Sequence, residues 1–133
     1  MAKKHKYHNA GLTLSSALTP AQLLTIAKQV AGTLKPLVLD AETPSSLRFL
    51  VKNWARVTFM SFGVDVASEG ARTALTTTIA EYQTSQATVF FIPIGPKEML
   101  GYGEYRSYMR ALADAVVAAD PGATFVITET EAA

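Results

Sequence analysis

The sequence predicts a two-layer α+β domain, an antiparallel β-sheet (meander) with an N-terminal helix and a long C-terminal helix packed on one face. Three observations carry this. A capped helix start, Thr19-Pro20, precedes a stripe of apolar residues. From Leu47 the hydrophobic period changes to two and stays so for several segments. After the glycines at 101 and 103 an amphipathic pattern of helical period runs to Ala119. Strands grouped between two helices indicate a segregated α+β arrangement, not alternating βαβ units.

Taken in order, residues 1–10 carry three lysines and both histidines and read as a flexible basic tail. Residues 11–128 form the domain, and 129–133 a second tail. Residues 11–18 alternate Leu12 and Leu14 with Thr13 and Ser15, a first strand. In the first helix Leu23, Ala27, Val30 and Leu34 share a stripe, and Gly32 and Pro36 end it. A short strand is expected at 37–39 and a loop at 40–46. Leu47, Phe49 and Val51 then face one way and Arg48 and Lys52 the other. Met60, Phe62, Val64 and Val66 continue the alternation on a second strand, or on the same strand beyond a bulge. Ser68, Glu69 and Gly70 mark a turn.

The threonine-rich stretch 73–83 reads as a half-solvated antiparallel strand. Leu75 and Ile79 lie on one face, and Thr76, Thr78 and Tyr82 on the other. Residues 87–94, with the uncharged run Val89, Phe90, Phe91 and Ile92, are expected to be a central strand buried on both faces. The last helix, over 104–119, is expected to bury Tyr105, Tyr108, Met109, Leu112, Ala115, Val116 and Ala119, with Tyr102 capping it. Phe125 to Ile127 add an edge strand.

Composition sets the classes of function. The chain has 133 residues, enough for one core, and no cysteine. Disulfides, thiolate metal sites and cysteine nucleophiles are therefore excluded, and a reducing cytoplasmic compartment is the default expectation. A formal net charge of +1 names no acidic or basic partner, and no basic groove accompanies the aromatics, so no nucleic-acid partner is expected. No apolar stretch has the length of a membrane span or a signal-peptide core.

Both histidines, His5 and His8, lie in the tail, which disfavours a Ser-His-acid mechanism, and two ligands make a poor metal site. No cofactor, metal or catalytic residue is assigned. The acids are scattered and read as solvated surface. Gly95-Pro96-Lys97 and Gly101-Tyr102-Gly103 match neither a P-loop nor a dinucleotide fingerprint and read as turns. The candidate ligand-binding residues are Trp54 and Arg56, at a strand junction, with Tyr82 and Tyr102. Each has a plain packing reading beside the functional one.

The order strand, helix, several antiparallel strands and a closing helix resembles the helix-grip or TATA-binding-protein-like arrangement. That arrangement occurs in small lipid- or ligand-binding and uncharacterised bacterial proteins. The resemblance implies a curved sheet gripping a helix, sometimes around an apolar cavity, and transfers no residue. With 49% hydrophobic residues and 17% charged ones, the chain is expected to be a non-enzymatic binding or interaction module. It would take an apolar small ligand or form a homo-oligomer. The alternative is a small enzyme-like scaffold whose polar residues, such as Arg48, Arg56 and Tyr82, converge on a sheet face.

Overall fold

A threonine followed by proline starts the first helix, α1 (Pro20–Gly32), through a reciprocal cap. Thr19 Oγ1 accepts from the Gln22 amide at 3.2 Å, and Gln22 Oε1 accepts from the Thr19 amide at 2.9 Å. The structure, a computed structural model, describes residues 10–52, 58–82, 84–85, 88–89, 92–93, 98–99 and 102–128.

The strands of the main sheet are β1 (Gly11–Ser16), β2 (Leu37–Thr43), β3 (Ser46–Lys52), β4 (Thr58–Glu69), β5 (Arg72–Tyr82) and β10 (Thr124–Thr128). Four two-residue strands lie between β5 and the second helix: β6 (Thr84–Ser85), β7 (Thr88–Val89), β8 (Ile92–Pro93) and β9 (Glu98–Met99). The second helix, α2 (Tyr102–Ala119), follows them. The six-stranded sheet has the order β10-β1-β5-β4-β3-β2, and every neighbouring pair is antiparallel. The fold is thus α+β, with α1 and α2 packed on each other and on the sheet.

Side-chain alternation explains which face the helices cover. Leu12, Leu14, Leu47, Phe49, Val51, Met60, Phe62, Val64 and Leu75 are buried, while Thr13, Arg48, Asp65, Thr76 and Thr78 are exposed. From the helices come Leu23, Ala27, Tyr105, Tyr108, Met109, Leu112, Ala113 and Val116. Four rings form the centre of the core. Phe62 lies 4.7 Å from Tyr105, 5.2 Å from Tyr108 and 5.5 Å from Phe49, centroid to centroid. These are spacings at which tilted aromatic pairs attract.

Several expectations are corrected. Residues 87–94 are not a central strand of the main sheet at their described positions. Val89 pairs with Ile92 and Thr88 with Pro93 in a two-stranded sheet of their own. Both sides of β5 are already taken, by β1 and β4, and Pro93 has no N–H to give a ladder.

β2 continues through the expected loop to Thr43, because an edge strand tolerates polar residues on both faces. Of the two readings of residues 47–66, the one with two strands holds: β3 and β4 pair antiparallel, Phe49 with Phe62. In α2, Ala113 is buried, whereas Ala115 is half-buried and Ala119 exposed. Position on the 105, 108, 109, 112, 116 stripe decides this, not apolarity. Tyr102 is the first residue of the helix itself.

The hairpin between β4 and β5 is closed by Gly70 and Ala71, with Glu69 paired to Arg72. Gly70 has φ 65°, the left-handed backbone that a two-residue hairpin needs. Among the described residues no helix is long and apolar enough to cross a membrane.

Candidate interaction surface

Of the four candidate ligand residues, the structure describes Tyr82 and Tyr102. Trp54 and Arg56 lie outside the described residues. Tyr102 is half-buried at the start of α2, its ring 6.3 Å from that of Tyr105, where it packs against the core.

Tyr82 is turned away from the face expected for it. Between Ser61 and Phe62 the β4–β5 register shifts, so that Phe62 pairs with Ile79, Ser61 with Glu81 and Met60 with Tyr82. One extra residue on β5 inverts the alternation beyond it. Tyr82 therefore stands opposite Met60 and packs against the core, not beside Thr76 and Thr78.

Arg48, Ser61, Glu81 and Tyr82 nevertheless line one shallow hollow of about 130 Å³ at this bulge. Arg48 Nη2 donates to Ser61 Oγ at 3.4 Å, and its Nε lies 3.9 Å from Asp40 Oδ2. A second, apolar groove of about 350 Å³ runs between the start of α1 and the end of α2, lined by Leu18, Ala21, Ile26 and Ala119. Among the described residues no group of three or more histidines or carboxylates could hold a metal ion.

The buried hydroxyls of Tyr105, Thr77 and Tyr108 have structural partners. Tyr105 Oη donates to Ala10 O at 2.9 Å, which uses its only proton. Thr77 Oγ1, 2.8 Å away, is then the donor to Tyr105, and it accepts from the Leu12 amide at 2.8 Å. Tyr108 Oη donates to Ala27 O at 3.0 Å. Burial pushes the Tyr105 hydroxyl up to about 12, with the Thr77 hydrogen bond pulling the other way, and burial raises Tyr108 too. Both remain protonated donors near neutral pH, so neither is poised as a base.

At the opposite end of β1, Asp120 Oδ2 accepts from Ser16 Oγ at 2.8 Å and from the Ala17 amide at 2.9 Å, and Oδ1 accepts from the Gly122 amide at 3.1 Å. Arg72 adds Nε to Ser15 Oγ at 2.8 Å, and Nη2 to Ser15 O at 3.0 Å and Gly122 O at 3.2 Å. The ends of α2, β1 and β5 and the approach to β10 are tied together here. The amide of Ala17, then the Ser16 hydroxyl, hold the Asp120 carboxyl below its ordinary value of 3.8.

A depressed native pKa means that this stabilisation is complete above the unfolded value and is lost as pH falls through the native one. Acid unfolding of Asp120→Asn, followed by circular dichroism, is expected to depend less steeply on pH below the usual carboxylate range. Equal slopes for parent and variant would show that Asp120 is not linked to folding.

The two edges of the sheet differ. β2 carries Asp40 and Glu42, has a register shift between Leu39 and Ala41, and is tied to α1 by Lys28 Nζ to Glu42 Oε2 at 3.1 Å. Charge and irregularity of this kind blunt an edge. β10, Thr-Phe-Val-Ile-Thr, has no charge, no proline and a continuous register with β1. Phe125 is 42% and Val126 65% exposed, and among the described residues nothing pairs with the outer side of β10. Phe125 and Val126 were not among the candidate binding residues. Their signal in the sequence is an uncharged run of aromatic and β-branched residues after the last helix. No protein-family model matches the chain, and no curated protein matches it.

Proposed function

We propose that the chain is a non-enzymatic interaction module that accepts an extended strand on the β10 edge of its sheet. The observation that carries this reading is the contrast between the two edges: both expose apolar side chains, Val38 and Leu39 on β2 and Phe125 and Val126 on β10, but β2 is charged, bulged and tied down, whereas β10 is uncharged and regular. Unpaired backbone N–H and C=O groups along such an edge are a template for a further strand, and alternate side chains add packing.

The helix-grip-like arrangement that the element order resembles is sometimes built around an apolar ligand. Here Phe49, Phe62, Tyr105 and Tyr108 occupy the space between sheet and helices, which favours association over enclosure. A second reading, an enzyme-like polar site, draws on the convergence of Arg48, Ser61 and Glu81 at the bulge. At about 130 Å³ that hollow is smaller than the roughly 300–1,000 Å³ of most small-molecule pockets.

Amide hydrogen exchange tests the edge reading. The chain is followed over a range of concentrations, with and without a synthetic peptide carrying residues 124–128 between solubilising ends. The outward amides of β10 are expected to gain protection from the chain's own concentration or from the peptide. Free-edge exchange under every condition would overturn the reading.

A further inference from the structure

We infer that the strand taken up by β10 is the β10 of a second copy of this chain, paired antiparallel about a two-fold axis at Val126. The inference rests on the edge reading above and names its partner. Its first support is that the strand is near-palindromic in chemistry. Read from Val126 outward, the sequence is Phe125 and Ile127, then Thr124 and Thr128. A two-fold at Val126 therefore sets Val126 against Val126, each Phe125 against Ile127 of the partner subunit, and each Thr124 against Thr128 of the partner subunit. No polar group meets an apolar one, and no charge is brought to the axis.

The second support is the facing of these side chains. Leu14 pairs with Phe125 and Leu12 with Ile127 across β1–β10, which places Phe125 and Ile127 on the helix-covered side. Ile127 already packs against the core, and Phe125 stands 42% exposed beside it. The two-fold would put an aromatic side chain opposite a β-branched one twice, once on each side of the axis. Such cross-strand pairs stabilise antiparallel sheets. Val126, opposite Thr13, would meet its mate on the outer face.

The third support is closure. An edge that pairs with itself makes an isologous dimer and stops, whereas pairing of β10 with β2 would propagate from molecule to molecule. The blunting of β2 by Asp40, Glu42 and the register shift opposes that open assembly.

The absence of cysteine makes the test direct. Residues opposed across an antiparallel pair have Cα atoms about 4.5–5.5 Å apart, within disulfide range. Under mild oxidation Val126→Cys is expected to give a covalent dimer. Thr13→Cys, on the same face but one strand further from the axis, is expected not to. Light scattering of the parent chain is expected to rise with concentration from 14.3 kDa to twice that mass. Val126→Lys, which sets two like charges at the axis from an exposed position, is expected to stay monomeric with an unchanged circular dichroism spectrum.

A parent that is monomeric at millimolar concentration overturns the inference. If the strand peptide still protects β10 in that case, the edge reading stands and its partner is another molecule. A dimer that survives Val126→Lys, or one in which Val126→Cys links no faster than Thr13→Cys, also overturns it and places the interface elsewhere. Masses beyond the dimer would show open pairing and overturn it as well.

Discussion

Phe62→Ala is expected to lower the stability of the domain by about 3–5 kcal/mol. Phe62 is fully buried and touches the other three rings of the aromatic centre, so its removal leaves a void bounded by Phe49, Tyr105 and Tyr108. Collapse into that void is restricted on the helix side. Tyr108 is held by its bond to Ala27 O, and Tyr105 by Ala10 O and Thr77. Domains are commonly stable by only about 5–15 kcal/mol, so the variant would be near its unfolding threshold at physiological temperature. Urea denaturation is the measurement, with Phe62→Leu as the partner variant that keeps most of the volume and is expected to lose about 1–2 kcal/mol. Equal losses for the two would mean that the site is not closely packed.

Gly11→Ala is expected to destabilise by about 1–3 kcal/mol, although it adds a single methyl group in a strand. A Cβ at position 11 would come within 2.5 Å of the Thr77 carbonyl oxygen, a backbone atom held in β5, and 3.6 Å from Tyr105 Oη. The strand must move, and the hydrogen bonds of Leu12, Thr77 and Tyr105 move with it. A fall in melting temperature of roughly 5–10 °C would register this. The same substitution at Gly63, where a Cβ meets only ordinary contacts, is expected to have little effect. A tolerant position 11 would imply that β1 is displaced from β5 at that end.

Elements whose logic is local were legible in the sequence. Thr19, Pro20 and Gln22 specify the start of α1 by their own side chains, and Leu47, Phe49 and Val51 name the inner face of β3 with no need of a partner. Apolarity at Val89 and Ile92 indicates burial but not which strand lies alongside, and these two residues pair with each other outside the main sheet. The face of Tyr82 is not legible along one strand, because the bulge two residues before it is a property of the pairing of β5 with β4. The candidate surface was half legible. Phe125 to Ile127 could be read as an edge strand, but its importance comes from the contrast with β2 at the far side of the sheet. The Tyr105–Thr77–Leu12 network draws on three separate elements, so no spacing in the sequence announces it.

The order of strands in the sheet also bears on how the chain finds its fold. β2, β3, β4 and β5 are successive hairpins whose partners lie close along the chain, whereas β1 is separated from β5 by the whole meander. The tie from Ser16 to Asp120 spans 104 residues. Closing so long a loop carries an entropic penalty that the hairpins avoid, so the meander is expected to condense first and the β1–β10 corner last. Substitutions in β3 and β4 should then slow refolding, while loss of the Asp120 tie should mainly hasten unfolding; stopped-flow kinetics showing the reverse would exclude this order. In a chain emerging residue by residue, β10 is made after every other strand of the sheet. Until it arrives, β5 is the one strand of the main sheet that pairs with β1.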